Sequence, residues 1–381
     1  MKLKTLILTL GLIVVTAVWT AAGDEPIKIG AVLSVTGPAS PLGEPEKNTM
    51  ELVAEEINAR GGVLGRPLEL IILDDETDVN KAVLAAQRLL KKERVAVVLG
   101  PTTSGNALAV KNFFPGAKVP LIACAAAEKI VTPADPWVFK VAPSDRHAIL
   151  RILDHAKSRG YNKVALLTVS DGFGQAGREA LKELVPTRGL EIVADEVYGP
   201  KDTDMTAQLT KIKGLAPDAI ICWGTNPGPA VIAKNRVQLG VETPLYMSHG
   251  VASKKFIELA GEAADGVMLP AGKLIVADQL SDDDPQKPLL VKYAKEYQDK
   301  FKAPVSTFGG HGWDSLRLAV AAIEKGGSAE PGDIRDNLEA LGPFAGVGGV
   351  FDYTPEDHNG QDEKAFEMVI IDKGDWKILK D

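Results

Sequence analysis

The chain has 381 residues, of which 45% are hydrophobic and 25% charged, and this length favours two domains over one. Its net charge of −8 and pI near 5.4 exclude a dedicated nucleic-acid binder, which would carry a basic face. After the first 22 residues no stretch reaches the roughly 18 uninterrupted apolar residues that a membrane span requires.

The N-terminus has the pattern of a secretory signal peptide. Two lysines in "MKLK" precede the apolar run "TLILTLGLIVVTAVW", and "TAAG" supplies small residues for cleavage after Ala22. An uncleaved membrane anchor is the alternative, and the absence of a cysteine at the cleavage point disfavours a lipoprotein. We therefore predict that residues 1–22 are removed and that the mature protein is periplasmic.

Strand and helix patterns alternate through the first part of the mature chain. The predicted strands are 27–34, 68–75, 95–101 and 119–125, and the predicted helices are 47–62, 80–93 and 104–116, with a Gly/Pro loop before the first helix. Short apolar runs separated by amphipathic helices are typical of parallel strands that are covered on both faces. One α/β unit is complete at about residue 125.

The same pattern restarts after "WVFKVAPSD". The predicted strands are 163–170, 190–198, 218–224 and 244–250, and the predicted helices are 146–160, 177–189, 205–216 and 228–240. The last third contains helices 289–302 and 312–327 and a closing hairpin-like stretch that ends at 379. The pattern predicts two similar lobes rather than a solenoid.

The stretch "DGFGQAG", residues 171–177, matches the Gly-x-Gly-x-x-Gly fingerprint of dinucleotide-binding sites. It follows an apolar run, and Asp195 and Glu196 lie where an NAD ribose would need a carboxylate. However, Ser170 and Asp171 separate the strand from the first glycine, and the Asp171 carboxylate would repel the phosphates. An NAD-dependent enzyme therefore stays only as a remote alternative.

Other catalytic or metal-binding signals are weak. The sequence has no G-x-S-x-G elbow or Walker A motif, and its five histidines lack metal-ligand spacing. "DDETD" at 74–78 is better explained as helix capping than as a metal site. Cys124 and Cys222 either pair or, as we favour, are small buried side chains. We predict no enzyme activity, no cofactor and no bound metal.

The chain as a whole resembles the type I periplasmic solute-binding proteins of the branched-chain amino acid (Leu/Ile/Val) ABC importers. The stretches that carry the resemblance are "IKIGAVLSVTGPASPLGEPEKNTMELVAEEINARGGVLGRPLELIILDDETD", "VVLGPTTSGNALAV", "WVFKVAPSD", "SDGFGQAG" and "PLYMSHGVAS". The resemblance implies two Rossmann-like α/β lobes with parallel-rich sheets, joined by three crossing strands that form a hinge. The implied lobes are 27–141 plus 272–347 and 142–271 plus 348–381.

The resemblance also implies which residues of the first lobe contact a ligand. Family members hold a carboxylate with a hydroxyl after the "VVLGP" strand, where this chain has Thr102 and Ser104. Ala125 and Ala127 match the next contact loop, and Leu42 belongs to the first loop. An alternative role for Ser104 is a helix N-cap, which is compatible with ligand binding.

In the second lobe the resemblance places Phe173, Trp223, Asn226 and His249 at the cleft. The amino acid binders carry a glutamate at the position of His249, which pairs with the ligand's ammonium, and histidine cannot supply that negative charge. Phe308 is a further residue predicted to form part of the cleft wall.

His311 either reaches the cleft or has a structural role.

Because the carboxylate-binding residues are kept and the glutamate that pairs with an ammonium is missing, we predict a ligand with a carboxylate and an aromatic or branched body but no α-amine. A binder of Leu/Ile/Val or another amino acid is the alternative, with Asp171 replacing the missing glutamate. The implied partners are this small molecule and a membrane permease. We predict a monomer.

Overall fold

A computed structural model describes residues 25–379, so the predicted signal peptide lies outside the described residues. The described chain forms two α/β lobes, each with its own sheet. The fourteen strands of the described residues are β1 (Ile27–Leu33), β2 (Leu68–Asp74), β3 (Val97–Leu99), β4 (Leu121–Ala123), β5 (Val138–Lys140), β6 (Lys163–Val169), β7 (Glu191–Tyr198), β8 (Ala219–Trp223), β9 (Leu245–Met247), β10 (Met268–Gly272), β11 (Phe344–Ala345), β12 (Val350–Phe351), β13 (Phe366–Asp372) and β14 (Asp375–Ile378).

Twelve α-helices within residues 25–379 cover the sheets. They are α1 (Ser40–Ala59), α2 (Val79–Arg88), α3 (Ser104–Val110), α4 (Phe114–Ala117), α5 (Asp145–Ser158), α6 (Gly172–Thr187), α7 (Thr206–Gly214), α8 (Gly228–Gln238), α9 (Lys254–Ala260), α10 (Lys287–Phe301), α11 (Thr307–Gly326) and α12 (Pro331–Ala340). None of the helices in this part of the chain is both long and apolar enough to cross a membrane.

The first lobe is built on a parallel sheet in the order β2-β1-β3-β4-β5. Strands β1, β3 and β4 consist almost entirely of buried apolar residues because helices cover both faces, whereas the edge strand β2 is partly exposed. Helix α1 packs along α11, which comes from the last third of the chain, and the two share a core with β1. The core of the first lobe is therefore completed by a segment far away in sequence from its sheet.

The second lobe has a seven-stranded sheet in the order β14-β13-β10-β9-β8-β6-β7. Strands β6 to β10 are parallel to their neighbours, whereas β13 and β14 are added antiparallel beside β10. A β-hairpin therefore closes one edge of this sheet, in agreement with the hairpin-like pattern of the sequence.

The chain passes between the sheets three times: after β5, after β10 and after β12. The first and third crossings are hydrogen-bonded, since Lys140 N–H donates to the His358 carbonyl at 3.0 Å and the Tyr353 hydroxyl donates to the Lys140 carbonyl at 3.0 Å. The crossings are irregular segments rather than ladder strands. Phe351 and Tyr353 pack in the first-lobe core, although they follow the expected boundary at 347/348. We therefore propose a lobe boundary after Tyr353.

Two differences from the sequence prediction concern helices. Helix α1 begins at Ser40, seven residues before the predicted start at 47, and it includes Pro45. The Gly/Pro composition predicted a loop there, but Pro41 in the first turn and buried Leu42 and Glu46 extend the helix into the first lobe. The prediction also missed α9 and α12, which are short helices of 7 and 10 residues.

Candidate functional site

A cleft of about 370 Å³ lies between the lobes, at the carboxyl ends of strands from both sheets. Open α/β sheets place ligands at this edge. Side chains of the first lobe on its surface include Leu42, Thr77, Thr102, Ser104, Asn106, Ala125, Phe308 and His311. Those of the second lobe include Asp171, Phe173, Tyr198, Lys201, Thr225, Asn226 and His249.

The first-lobe wall of the cleft carries two hydroxyl groups in the loop after β3. The Ser104 hydroxyl oxygen accepts from the Ala127 N–H at 3.2 Å, and the Thr102 hydroxyl oxygen accepts from the Ser34 N–H at 3.0 Å. Ser104 opens α3 but does not cap it, because the N-cap position belongs to Thr103 and has no side-chain bond. The capping alternative for Ser104 is therefore wrong.

Buried acids lie directly behind these hydroxyls. The Thr102 hydroxyl lies 2.5 Å from a carboxyl oxygen of Glu46. The Asp75 carboxylate accepts from the Ser34 hydroxyl at 2.6 Å and from the Asn106 side-chain amide at 2.8 Å. Burial raises the pKa of Glu46 well above its usual value and also raises the pKa of Asp75. A layer of polar groups thus supports the first-lobe wall.

The second-lobe wall is aromatic. The Phe173 ring packs on the Trp223 ring, with 5.5 Å between centroids. His249 packs edge-on against Phe173, Trp223 and Phe366, with centroid distances of 5.6, 5.6 and 5.3 Å. Its side chain is 4% exposed, and neither ring nitrogen has a hydrogen-bond partner within residues 25–379. Burial lowers the pKa of His249 to about 3, so the imidazole is neutral.

His311 reaches the cleft from α11, as one of the two predicted alternatives held. It is 2% exposed, its ring packs edge-on against Phe308, and its nitrogens have no partner in the described chain. Burial lowers its pKa to about 3 as well. Asp171 and Lys201 are the acidic and basic residues on the described cleft surface.

Most of the predicted site residues line the cleft. They are Leu42, Thr102, Ser104, Ala125, Phe173, Asn226, His249 and Phe308. Ala127 and Trp223 do not: both are fully buried, and they lie behind the walls. Ala127 contributes its N–H to Ser104, and Trp223 supports Phe173 from behind. Contact with a ligand stays a prediction for the residues on the cleft surface.

The glycines of "DGFGQAG" serve packing. A Cβ built on Gly177 would lie 2.1 Å from Trp223 Nε1, so only glycine lets the indole fit there. A Cβ on Gly172 would lie 2.7 Å from the Gly105 Cα of the opposite lobe. Asp171 caps α6 by accepting from the Gly174 N–H at 2.9 Å, and this carboxylate occupies the position where a pyrophosphate would bind.

The acidic residue expected to hold a ribose is also engaged. Asp195 accepts from Arg178 at 2.6 Å, and Lys182 lies 2.5 Å from its other oxygen. The dinucleotide reading of the motif is therefore wrong, because its carboxylates cap a helix or form surface ion pairs. The motif positions Phe173 on the cleft surface instead.

The two lobes touch beside the cleft, where α3 faces α6. Gly105 and Gly172 form the closest approach, and Ala176 of α6 packs in the apolar cluster of the first lobe. Lys129 of the first lobe forms an exposed ion pair with Glu179 of α6. These contacts hold the lobes together along one side of the cleft.

The remaining sequence signals have structural roles. Asp78 caps α2 by accepting from the Lys81 N–H at 3.0 Å, as the capping interpretation of "DDETD" predicted. Within residues 25–379 no group of three or more His, Cys, Asp or Glu side chains is placed to hold a metal ion. Cys124 and Cys222 are buried free thiols in the cores of different lobes.

Sequence reasoning missed several cleft residues. Asn106 stands in the quoted loop and Thr225 beside Asn226, so position alone could have found them. Tyr198 is the last residue of β7 and Lys201 follows that strand, and the only available signal was that β7 ends at the same edge as its neighbours. Glu46 was missed because its segment was predicted to be a loop.

Comparison with known proteins agrees with this architecture. The family model described as periplasmic binding protein matches residues 26–374. The Leu/Ile/Val-binding protein BraC3 of Rhizobium johnstonii is 25% identical, over 87% of this chain and 87% of its own.

Two solved structures extend the similarity to the fold. An extracellular ligand-binding receptor from Rhodopseudomonas palustris HaA2 is 30% identical, with a TM-score of 0.87 over 93% of this chain and 99% of its own. LivJ from Streptococcus pneumoniae, solved with isoleucine, is 26% identical, with a TM-score of 0.83 over 93% and 100%. These neighbours confirm the predicted two-lobe α/β fold, and they are binding proteins rather than enzymes.

Proposed function

The chain belongs to the periplasmic binding protein family, and we propose that it is the solute-binding subunit of an ABC importer of the branched-chain amino acid type. It captures a small carboxylate between its lobes and closes around it by a hinge motion at the three crossings. The loaded protein, a periplasmic monomer released by signal-peptide cleavage, then docks on a membrane permease.

The hydrogen bond that the Ser104 oxygen accepts from the Ala127 N–H is the observation that carries the carboxylate proposal. Because the Ser104 oxygen accepts from the Ala127 N–H, its own hydrogen is left to donate to a partner in the cleft. Hydrogen bonds from neutral donors to a carboxylate are stronger than those to a neutral acceptor. A buried hydroxyl donor at the end of β3 therefore favours an anionic group at this wall.

The second-lobe wall favours an apolar body without an α-amine. Phe173 offers a ring face, while Leu42 and Phe308 add apolar surface from the first lobe. A neutral His249 cannot form an ion pair with an ammonium group, and a desolvated ammonium without such a partner costs several kcal/mol. We therefore favour aromatic or branched organic acids as ligands.

A branched-chain amino acid is the second candidate, and Asp171 is the observation that favours it. This carboxylate lines the cleft and could pair with an ammonium group. It also caps α6, and burial raises its pKa, so it offers a weaker partner than a free carboxylate. The names of BraC3 and LivJ refer to branched-chain amino acids, which also supports this candidate.

A thermal-shift screen with matched ligands tests the proposal. L-Leucine and 4-methylpentanoate differ only in the α-amine, as do L-phenylalanine and 3-phenylpropanoate, and benzoate and phenylacetate extend the series. We expect the deaminated acids to raise the melting temperature more than their amino acid partners. Stabilisation by leucine with none by 4-methylpentanoate would establish the amino acid candidate. A panel without any stabilising carboxylate would contradict both.

A further inference from the structure

Glu46 is a fully buried carboxyl group behind the cleft, in the second turn of α1. One of its oxygens, Oε2, lies 2.5 Å from the Thr102 hydroxyl oxygen, and the other, Oε1, has no hydrogen-bond partner within residues 25–379. In this part of the chain no backbone N–H and no lysine or arginine contacts either oxygen. The Thr102 hydroxyl is therefore the one hydrogen-bond partner that residues 25–379 supply to this carboxyl group.

Two other buried acids in the same lobe are solvated differently. Asp75 accepts from the Ser34 hydroxyl, the Asn106 amide and the Thr77 N–H. Asp314 accepts from two backbone N–H groups, each at 2.7 Å, and burial still raises its pKa to about 8. Because two backbone donors do not offset the burial of Asp314, the single hydroxyl does not offset the burial of Glu46. The geometry assigns a neutral carboxylic acid to Glu46.

The groups that surround Glu46 act in the same direction. Asp75 lies near enough at the end of β2 to disfavour a second negative charge. Cys124, after β4, is a buried thiol whose pKa is raised by burial and by Glu46. Helix α11, packed along α1, contributes His311, which is neutral, and Asp314, which is acidic. None of these groups supplies a positive charge.

We propose that neutral Glu46 donates its proton to Thr102 Oγ1 and thereby turns the Thr102 hydroxyl toward the cleft as a donor to the ligand's carboxylate. One hydrogen lies in the 2.5 Å contact between Thr102 Oγ1 and Glu46 Oε2, and either oxygen can donate it when Glu46 is protonated. In the proposed arrangement Glu46 donates it, the Thr102 oxygen also accepts from Ser34 N–H, and the hydroxyl hydrogen of Thr102 is left for the ligand. Glu46 is thus a positioning residue, which acts on the ligand through Thr102. This role rests on the proposed carboxylate ligand.

Ionised Glu46 would reverse this arrangement. A carboxylate at Glu46 must accept the Thr102 hydrogen, so the ligand and ionised Glu46 compete for one hydrogen atom. When Glu46 is ionised in the free protein, ligand binding takes up one proton from solvent, which returns to the Glu46 carboxylate. The affinity for a carboxylate then falls up to about tenfold per pH unit above the point where Glu46 ionises.

Infrared spectroscopy of the unliganded protein tests the proton directly. The carbonyl stretching band of a protonated carboxylic acid should be present in the wild type and should lose intensity in Glu46→Gln. Glu51→Gln, on the same helix but half exposed and paired with Lys47, is the matched control and should leave the band unchanged. Equal bands in the wild type and Glu46→Gln would overturn the proposal.

Calorimetric titration with 4-methylpentanoate and phenylacetate tests the coupling, between about pH 5.5 and about pH 9.5 in two buffers of unequal ionisation enthalpy. The wild-type affinity should follow the part of the infrared band that Glu46→Gln removes, since Asp314 also titrates in this range. The affinity should be constant where that part persists and should fall, with uptake of a proton, where it disappears. Glu46→Gln should bind with an affinity within about threefold of wild type at the acid end and without pH dependence. A wild-type affinity that does not follow the band overturns the proposal. If neither acid binds while the band responds as expected, the proposed function fails and the proton assignment stands.

Discussion

The first-lobe wall of the cleft carries hydroxyl groups that accept from backbone N–H groups, beside Phe308 and His311. The second-lobe wall is mainly Phe173 and the buried His249, whose imidazole has no hydrogen-bond partner within residues 25–379. Both walls are buried, but they present different groups to a ligand. The first presents hydroxyl groups that can donate hydrogen bonds, and the second presents aromatic ring faces. A ligand that matches both walls has a carboxylate at one end and an apolar body at the other.

The largest expected effect concerns acid stability, to which His249 of the second lobe and His311 of the first lobe both contribute. In the folded protein the pKa of His249 is lowered from 6.5 to about 3, so between these values only the unfolded chain is protonated. Stability is therefore lost as the pH falls through this window, by about 2 to 3 kcal/mol for this group at about pH 4.5. In His249→Phe, which keeps an aromatic ring, chemical denaturation at about pH 7 and pH 4.5 should show less acid destabilisation than in the wild type. An unchanged loss would contradict a buried neutral imidazole.

Ser104→Ala removes the donor from the first-lobe wall. A hydrogen bond to a charged group contributes about 1.5 to 3 kcal/mol, so we expect carboxylate affinity to fall by one to two orders of magnitude. Calorimetric titration with phenylacetate or 4-methylpentanoate measures the loss of affinity. Ser158→Ala, at an exposed position in the last turn of α5, is the control. The Ala127 N–H also loses its acceptor, so thermal stability is measured in parallel. Unchanged affinity would remove Ser104 from the site.

Phe173→Ala opens the second-lobe wall. Loss of this ring should weaken binding by about 1 to 2 kcal/mol, most strongly for aromatic acids that stack on it. Phe173→Leu keeps most of the apolar volume without the ring, so it should weaken phenylacetate more than 4-methylpentanoate. If both ligands lose the same affinity in both variants, the ring face plays no selective role.

Gly172→Ala tests the contact that joins the two walls. Its Cβ would lie 2.7 Å from the Gly105 Cα, so the lobes must separate, and we expect about tenfold weaker binding. Gly105→Ala is a matched control on the opposite side, because its Cβ would meet nothing closer than 3.9 Å. Small-angle scattering of the ligand-saturated proteins should show a larger radius of gyration only for Gly172→Ala. Equal affinities and equal radii of gyration of the two variants would contradict the idea that the Gly172–Gly105 contact sets how closely the lobes approach.

The smallest effect is expected at the exposed rim of the cleft, where Lys129 of the first lobe pairs with Glu179 of the second. The side chains of this pair are 58% and 62% exposed. Exposed pairs contribute less than about 1 kcal/mol, so Glu179→Gln should change ligand affinity by less than about fivefold and lose its effect at high salt. A larger change that persists in high salt would show that the rim, rather than the walls, controls closure.

The sequence pattern predicted the two α/β lobes because parallel strands buried on both faces appear as short apolar runs between amphipathic helices. The hydroxyl loop with Ser104 was indicated by the resemblance to the solute-binding proteins rather than by this pattern. It could not separate Phe173 from Trp223, because both are aromatic residues near strand ends and only packing decides which ring reaches the surface. Glu46 was hidden for a different reason: two prolines and a glycine suggested a loop where helix α1 continues.

The three crossings between the sheets have a consequence for how the polypeptide acquires its structure. The second sheet needs β13 beside β10, and the first-lobe core needs α11 against α1, so neither lobe is a contiguous stretch of chain. Neither can finish folding on the ribosome until the last hundred or so residues have emerged, and such non-local pairing is slow. A chain that stays unfolded until its synthesis is nearly complete suits the export that the predicted signal peptide implies, because a translocation machinery that accepts unfolded substrates could then act before the compact state forms.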